Sequence, residues 1–179
     1  MTKAATVQRR LDRLIRDVPD FPKPGILFKD ITPLLGDADA LRDATTAMAA
    51  PFKKDKIDHV AGIESRGFIL GAIVARDLGV GFIPVRKPNK LPAAKTSIEY
   101  ALEYGTDKLE VHTDACGHPD RILIVDDVLA TGGTARASCE LIERLGAVVV
   151  GVSFLVVLEF LKGRQRLEGR RIETVLSYR

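Results

Sequence analysis

Arg121-Ile122-Leu123-Ile124-Val125-Asp126-Asp127-Val128-Leu129-Ala130-Thr131-Gly132-Gly133-Thr134-Ala135-Arg136-Ala137 is the stretch on which the reading of this chain turns. Residues 122–125 are a short run of branched apolar side chains, the composition of a strand buried on both faces of a parallel sheet. Asp126 and Asp127 are expected to end that strand. Residues 130–134 then supply two glycines and two hydroxyls, and a helical pattern runs from Ala135 to Leu145, with Gly146 as its stop. A strand, a small-residue loop and a helix N-terminus together make an anion site. The first-turn N–H groups lack intrahelical acceptors, and the helix dipole adds partial positive charge. Gly132 and Gly133 let the backbone approach a phosphate, and Thr131 and Thr134 add hydroxyl donors. Two carboxylates would repel a phosphate, but they accept hydrogen bonds from the vicinal hydroxyls of a sugar. The stretch therefore reads as a cradle for ribose 5-phosphate, with Asp126 and Asp127 on the sugar and Ala130, Thr131, Gly132, Gly133 and Thr134 on the phosphate. The plain alternative is an ordinary βα unit with a glycine-rich turn. A Walker loop does not fit, because Thr134 stands where that pattern needs lysine.

Working outward, residues 59–63 read as a strand followed by Glu64-Ser65-Arg66-Gly67. A nearly all-apolar helix is expected over 68–78, buried against the sheet and closed by Gly79. Arg66 again sits between a strand end and a helix N-terminus. Its five fixed donors suit a pyrophosphate, although local sequence leaves a surface arginine equally open. A third strand, 81–85, leads into the basic loop Arg86-Lys87-Pro88-Asn89-Lys90-Leu91-Pro92, where parallel sheets bind ligands. Residues 97–112 read as a hairpin around 103–107, polar and glycine-containing as a mobile lid would be. An apolar strand over 147–157, a short helix or irregular segment over 160–167 and a last strand over 172–176 complete the chain. Toward the N-terminus, Val7, Leu11, Leu14, Ile15 and Val18 predict one amphipathic helix reaching Val18. It stops before the Pro/Gly-rich 20–25. Residues 26–33 read as an extended segment or edge strand. Asp37 or Asp39 is expected to cap a helix over 40–50, which Pro51 interrupts. Strand and helix alternate, so the expected class is α/β, a mostly parallel twisted sheet flanked by helices, in a single domain over 1–179.

Composition sets bounds on function. The 179 residues are 46% hydrophobic and 28% charged, ordinary for a soluble globular chain, and the net charge of +3 is scattered. The basic cluster over 162–171 reads as a solvated face, so no nucleic-acid partner is expected. Cys116 and Cys139 form no Cys-x-x-Cys, and His59, His112 and His118 lack zinc-ligand spacing. Residues 1–10 carry no apolar core of signal-peptide length. The apolar run at 147–158 falls short of the roughly 20 residues of a membrane helix. A cytoplasmic protein with reduced thiols and no membrane partner is expected.

The central stretch resembles the ribose-phosphate motif of the type I phosphoribosyltransferases: hydrophobic strand, two acids, then a loop of the Ala-Thr-Gly-Gly-Thr kind. Phe21-Pro22-Lys23-Pro24-Gly25-Ile26-Leu27-Phe28-Lys29-Asp30-Ile31-Thr32-Pro33-Leu34-Leu35 looks like the N-terminal hood of the adenine-specific branch. Glu64 to Phe68 resembles the family's pyrophosphate loop, and Leu102-Glu103-Tyr104-Gly105 its catalytic lid. The resemblance covers hood (1–35), pyrophosphate loop, lid (95–112) and phosphate loop in family order. Departures are few: Lys29 where arginine is frequent, Ala101 where serine or aspartate is, and Asn89 where glycine is.

What the resemblance implies is specific. Phe28 stacks on adenine while the Leu27 backbone, beside Lys29, fixes the base edge. Ser65, Arg66, Lys87 and Lys90 take the pyrophosphate, and a non-proline cis peptide lies near Ser65. Glu103 is the acid/base for the purine N7 proton, with Tyr104 and Gly105 in the lid, and Arg66 grips the leaving group. The substrates are adenine and phosphoribosyl pyrophosphate, and the products are AMP and pyrophosphate. Mg²⁺ is expected to be held mainly by substrate and water with no direct protein ligand, and the chain to pair as a homodimer. Two alternatives remain: the same fold acting on hypoxanthine, xanthine or orotate, and a non-catalytic sensor of phosphoribosyl pyrophosphate.

Overall fold

The computed structural model describes residues 3–101 and 105–179. The chain divides into two compact units, 1–47 and 48–179.

The first unit starts with helix α1, Lys3–Asp12. It does not reach Val18. Strand β1, Arg16–Pro19, pairs antiparallel with β2, Leu27–Asp30, setting Val18 opposite Phe28. A three- to four-residue apolar spacing also fits a helix followed by a strand. The choice is made by two cross-strand ion pairs, Arg16 with Asp30 and Lys29 with Asp17. The rings of Phe21 and Phe28 meet edge to face at 5.1 Å. A five-residue helix α2, Thr32–Gly36, starts with Pro33 in its first turn. Helix α3, Ala38–Ala49, follows, and the Asp37 carboxylate accepts from the Ala40 N–H at 2.8 Å as its cap.

The second unit holds strands β3 (His59–Ile63), β4 (Gly81–Val85), β7 (Arg121–Leu129), β8 (Val148–Leu158) and β9 (Ile172–Tyr178). They form one parallel sheet in the order β4-β3-β7-β8-β9. Helices α4 (Arg66–Leu78) and α5 (Gly133–Arg144) make the crossovers. Residues 122–125 are fully buried at the centre. Helix α4 is less buried than its composition suggests, since Ile69 is 44% exposed. Gly79 closes it with φ +73°. An antiparallel hairpin, β5 (Lys95–Ala101) with β6 (Thr106–His112), stands beside the sheet. It is joined to β4's end by reciprocal Arg86–Glu110 backbone bonds of 2.8 Å. Ile98, Leu109 and Val111 anchor the hairpin in the same buried cluster as Leu141 and Ile142 of α5.

One expectation fails at the centre. Asp126 and Asp127 do not end β7, which runs on to Leu129. The neighbouring β8 is eleven residues long and keeps the ladder going, with Asp126 opposite Phe154 and Leu129 opposite Val157. Backbone pairing to a long partner outweighs the weak strand preference of aspartate.

Candidate active site

Strand β3 passes through α4 to β4 on one side, and β7 passes through α5 to β8 on the other. The order reverses between β3 and β7, and ligands of open α/β sheets bind beyond the carboxyl ends of the strands at such a point. A cavity of about 270 Å³ opens there, lined by Glu64, Ser65, Arg66, Lys87 and residues 126–135.

Its floor is the 130–134 loop. Gly132 takes φ +82°, a left-handed conformation that glycine adopts without strain, and turns the chain into α5. The first-turn N–H groups then have no helical acceptors. Behind the loop lies a turn at Lys162 and Gly163, in which Lys162 has φ +54°. A Cβ on Gly163 would overlap the Ala130 carbonyl oxygen and lie 3.1 Å from the Gly132 nitrogen. The loop is thus backed by main chain at close range.

The two acids behave differently. Asp127 is 3% exposed and accepts from the Arg66 guanidinium through Nε. Burial, and then the neighbouring Asp127 charge, push the Asp126 carboxyl well above its ordinary value. Asp126 accepts from the Asp127 N–H at 2.9 Å. Gly67 brings the first turn of α4 against it: a Cβ there would lie 2.8 Å from Asp126 Oδ1. The segments at 64–67 and 126–127, about sixty residues apart in sequence, therefore form one wall.

The cation side is ordered by Glu64. Its carboxylate accepts from the Lys87 N–H at 2.9 Å and from Arg86 Nε at 3.2 Å. Burial works to raise Glu64, but these donors outweigh it and hold the carboxyl below its ordinary value. The Glu64–Ser65 peptide is cis, at the place the family resemblance implies. Lys87 Nζ reaches Asp107 and the Tyr100 hydroxyl on the hairpin.

The cavity thus brings together Ser65, Arg66, Lys87, Asp126, Asp127 and residues 130–134. Lys90 is not among its lining; its carbonyl accepts from Arg86 Nη1 at 3.1 Å. Leu27, Phe28 and Lys29 belong to the first unit. Glu103 and Tyr104 lie outside the described residues, and Gly105 follows them with φ +86°. Glu64, Tyr100, Asp107 and Gly163 were not legible as site residues, because each acts through a partner distant in sequence. The one signal was Glu64's place in the Glu-Ser-Arg-Gly motif. Neither cysteine lines the cavity, and burial pushes Cys139 up to about 12. Among the described residues no three His, Cys, Asp or Glu side chains cluster as a metal cage. The Asp126 and Asp127 carboxyls line the cavity, a setting that suits a hard cation held mainly by substrate phosphates and water beside them.

A parallel sheet with a glycine-rich loop, paired acids and a facing arginine–lysine wall at its switch point is the arrangement the resemblance implies for a transferase of phosphorylated sugars. The chain belongs to the phosphoribosyltransferase family, whose phosphoribosyl transferase domain matches residues 37–176, and within it to the adenine phosphoribosyltransferases. It is 58% identical over 169 residues to the adenine phosphoribosyltransferase of Methylococcus capsulatus, covering 94% of this chain and 99% of that one. The crystal structure of the Rhodothermus marinus enzyme superposes with a TM-score of 0.93 at 53% identity, covering 97% of this chain and 99% of the other. The Saccharomyces cerevisiae enzyme, solved with an imino-altritol bisphosphate and adenine, matches at a TM-score of 0.90 and 39% identity over 96% and 99%. No helix among the described residues is long and apolar enough to cross a membrane.

Proposed function

We infer that this protein is a purine-salvage transferase that moves the 5-phosphoribosyl group of phosphoribosyl pyrophosphate onto adenine, releasing AMP and pyrophosphate. The observation that supports it best is the joining of phosphate loop, paired acids, Arg66 and Lys87 in one cavity. Near full-length similarity to adenine phosphoribosyltransferases supports the choice of base.

Each group then has a task. Residues 130–134 hold the 5-phosphate still through backbone N–H groups and the Thr131 and Thr134 hydroxyls. Asp126 and Asp127 accept from the ribose hydroxyls. Their negative field also favours the positive charge that grows at the sugar carbon as its bond to pyrophosphate breaks. Ser65, Arg66, Lys87 and Lys90 take the charge of the leaving pyrophosphate. Magnesium bound with the substrate, held mainly by phosphate oxygens and water, would neutralise further leaving-group charge. Adenine lies on the Phe28 ring with its edge read by the Leu27 backbone beside Lys29. Glu103, with Tyr104 and Gly105 around it, manages the N7 proton as the new carbon–nitrogen bond forms. In this reading residues 1–179 act as one domain, 1–35 as hood and 95–112 as lid. The protein works in the cytoplasm as a homodimer.

Purified protein mixed with adenine, phosphoribosyl pyrophosphate and Mg²⁺ should yield AMP and pyrophosphate in equal amounts by chromatography, and a chelator should stop it. Binding of phosphoribosyl pyrophosphate without any nucleotide product would replace this reading with a sensor.

A further inference from the structure

The groups expected to meet phosphate already have partners. Lys87 Nζ donates to the Asp107 carboxylate and, at 3.2 Å, to the Tyr100 hydroxyl. Thr134 Oγ1 donates to the same hydroxyl at 3.2 Å. Tyr100 in turn donates its one hydrogen to Asp107 Oδ2 at 3.1 Å. A phenol has one hydrogen and two lone pairs, so Tyr100 is saturated.

The geometry separates holders from held. Lys87 and Thr134 line the 270 Å³ cavity, whereas Tyr100 and Asp107 do not. They face each other on β5 and β6 as a cross-strand pair, and the Tyr100 residue borders a second recess of about 240 Å³. From behind the wall they offer a charged carboxylate and an oxygen acceptor to an ammonium and a hydroxyl. A phosphate would offer the same. Burial of Asp107 opposes its ionisation, but Lys87 and the Lys108 N–H hold its carboxyl below the ordinary value, so the charge persists at neutral pH.

We propose that Asp107 and Tyr100 form an internal counter-anion for Lys87 and Thr134, a placeholder that pyrophosphate and the ribose phosphate must displace. Rebinding of the placeholder helps expel pyrophosphate after transfer. The proposal rests on the reading of Lys87 and Thr134 as phosphate-binding groups. It adds two residues whose effect on ligand affinity is opposite in sign to that of the residues they hold.

The test is calorimetric titration of magnesium pyrophosphate into wild type, Asp107→Asn and Tyr100→Phe, with steady-state kinetics on the same preparations. Asp107→Asn should bind pyrophosphate roughly three- to tenfold more tightly, as removal of a partly exposed like charge predicts. Its KM for phosphoribosyl pyrophosphate should fall and its kcat should fall with it, as product leaves more slowly. Tyr100→Phe should change KM in the same direction by a smaller factor, and it decides the matter alone if Asp107→Asn does not fold. Unchanged or weaker pyrophosphate binding in the folded variants, beside a wild type that makes AMP, would overturn the placeholder and leave the proposed function standing. A wild type that makes no AMP would remove both.

Discussion

Gly132 and Gly163 touch main chain to main chain. A Cβ on Gly132 would overlap the Gly163 carbonyl oxygen, and one on Gly163 would lie 3.0 Å from the Ala130 carbonyl carbon. No side-chain rotation relieves either clash. Gly163→Ala should therefore push the 130–134 loop, proposed to hold the 5-phosphate, away from its place. We expect a KM for phosphoribosyl pyrophosphate raised about tenfold or more, with a stability loss of roughly 1–3 kcal/mol as in other overpacked sites. Initial-rate kinetics and denaturant unfolding measure the two parts. An alanine variant with wild-type KM would show that the loop does not depend on this contact.

Arg66 and Asp127 form the second relationship that holds the site. Asp127→Asn leaves the guanidinium beside an amide in a place where the partner carboxylate is 4% exposed. The expected cost is about 1–3 kcal/mol of stability, since Arg66 keeps some access to water. Turnover should fall as well, because the arginine loses the group that aims it. Thermal unfolding and kcat together test this, and a variant that loses stability alone would confine the pair to a structural part.

Asp126 gives a pH dependence. Its carboxyl is raised above 3.8 by burial and then by Asp127. The folded protein thus holds a proton that the unfolded chain releases, so this residue costs stability as pH rises from 3.8 toward its higher folded value. Asp126→Asn should flatten that decline in the ligand-free protein while raising KM for phosphoribosyl pyrophosphate. Urea midpoints at a series of pH values would show it, and an unchanged slope would contradict it.

Asp30 works the other way. The Thr32 N–H at 2.9 Å and then Arg16 pull its carboxyl from 3.8 to about 2. Its support for the β1–β2 hairpin is complete above 3.8 and is lost as pH falls toward about 2. Amide exchange at Val18 and Phe28 should accelerate over that window in wild type and much less in Asp30→Asn.

Glu103→Gln should lower turnover about 10²- to 10⁴-fold if the carboxylate handles the purine proton. Affinity for phosphoribosyl pyrophosphate should stay near wild type. A wild-type turnover number would remove Glu103 from the chemistry.

Much of the sheet could be read from sequence because its strands are apolar runs with sharp polar ends. Strand β3 at His59–Ile63 and β4 at Gly81–Val85 fall where their composition places them. The glycine-rich turn from β7 into α5 was legible because an apolar run, small residues and a helical pattern follow one another there. Val18 departs from the helical expectation because one apolar position fits both helical and strand spacing, and the pairing of β1 to β2 with its two cross-strand ion pairs decides between them. The extent of β7 past the acids depended on the length of β8, which no local pattern reveals. Asp107 and Tyr100 look like ordinary hairpin residues until Lys87 and Thr134 are seen to meet them.

The most direct test of the central claim is kcat/KM for adenine, hypoxanthine, guanine, xanthine and orotate at fixed phosphoribosyl pyrophosphate and Mg²⁺. The account predicts nucleotide from adenine at a rate far above that of every other base. A clear preference for another base would keep the phosphate loop, the acids and Arg66 in their parts and contradict the assignment of adenine to Leu27, Phe28 and Lys29.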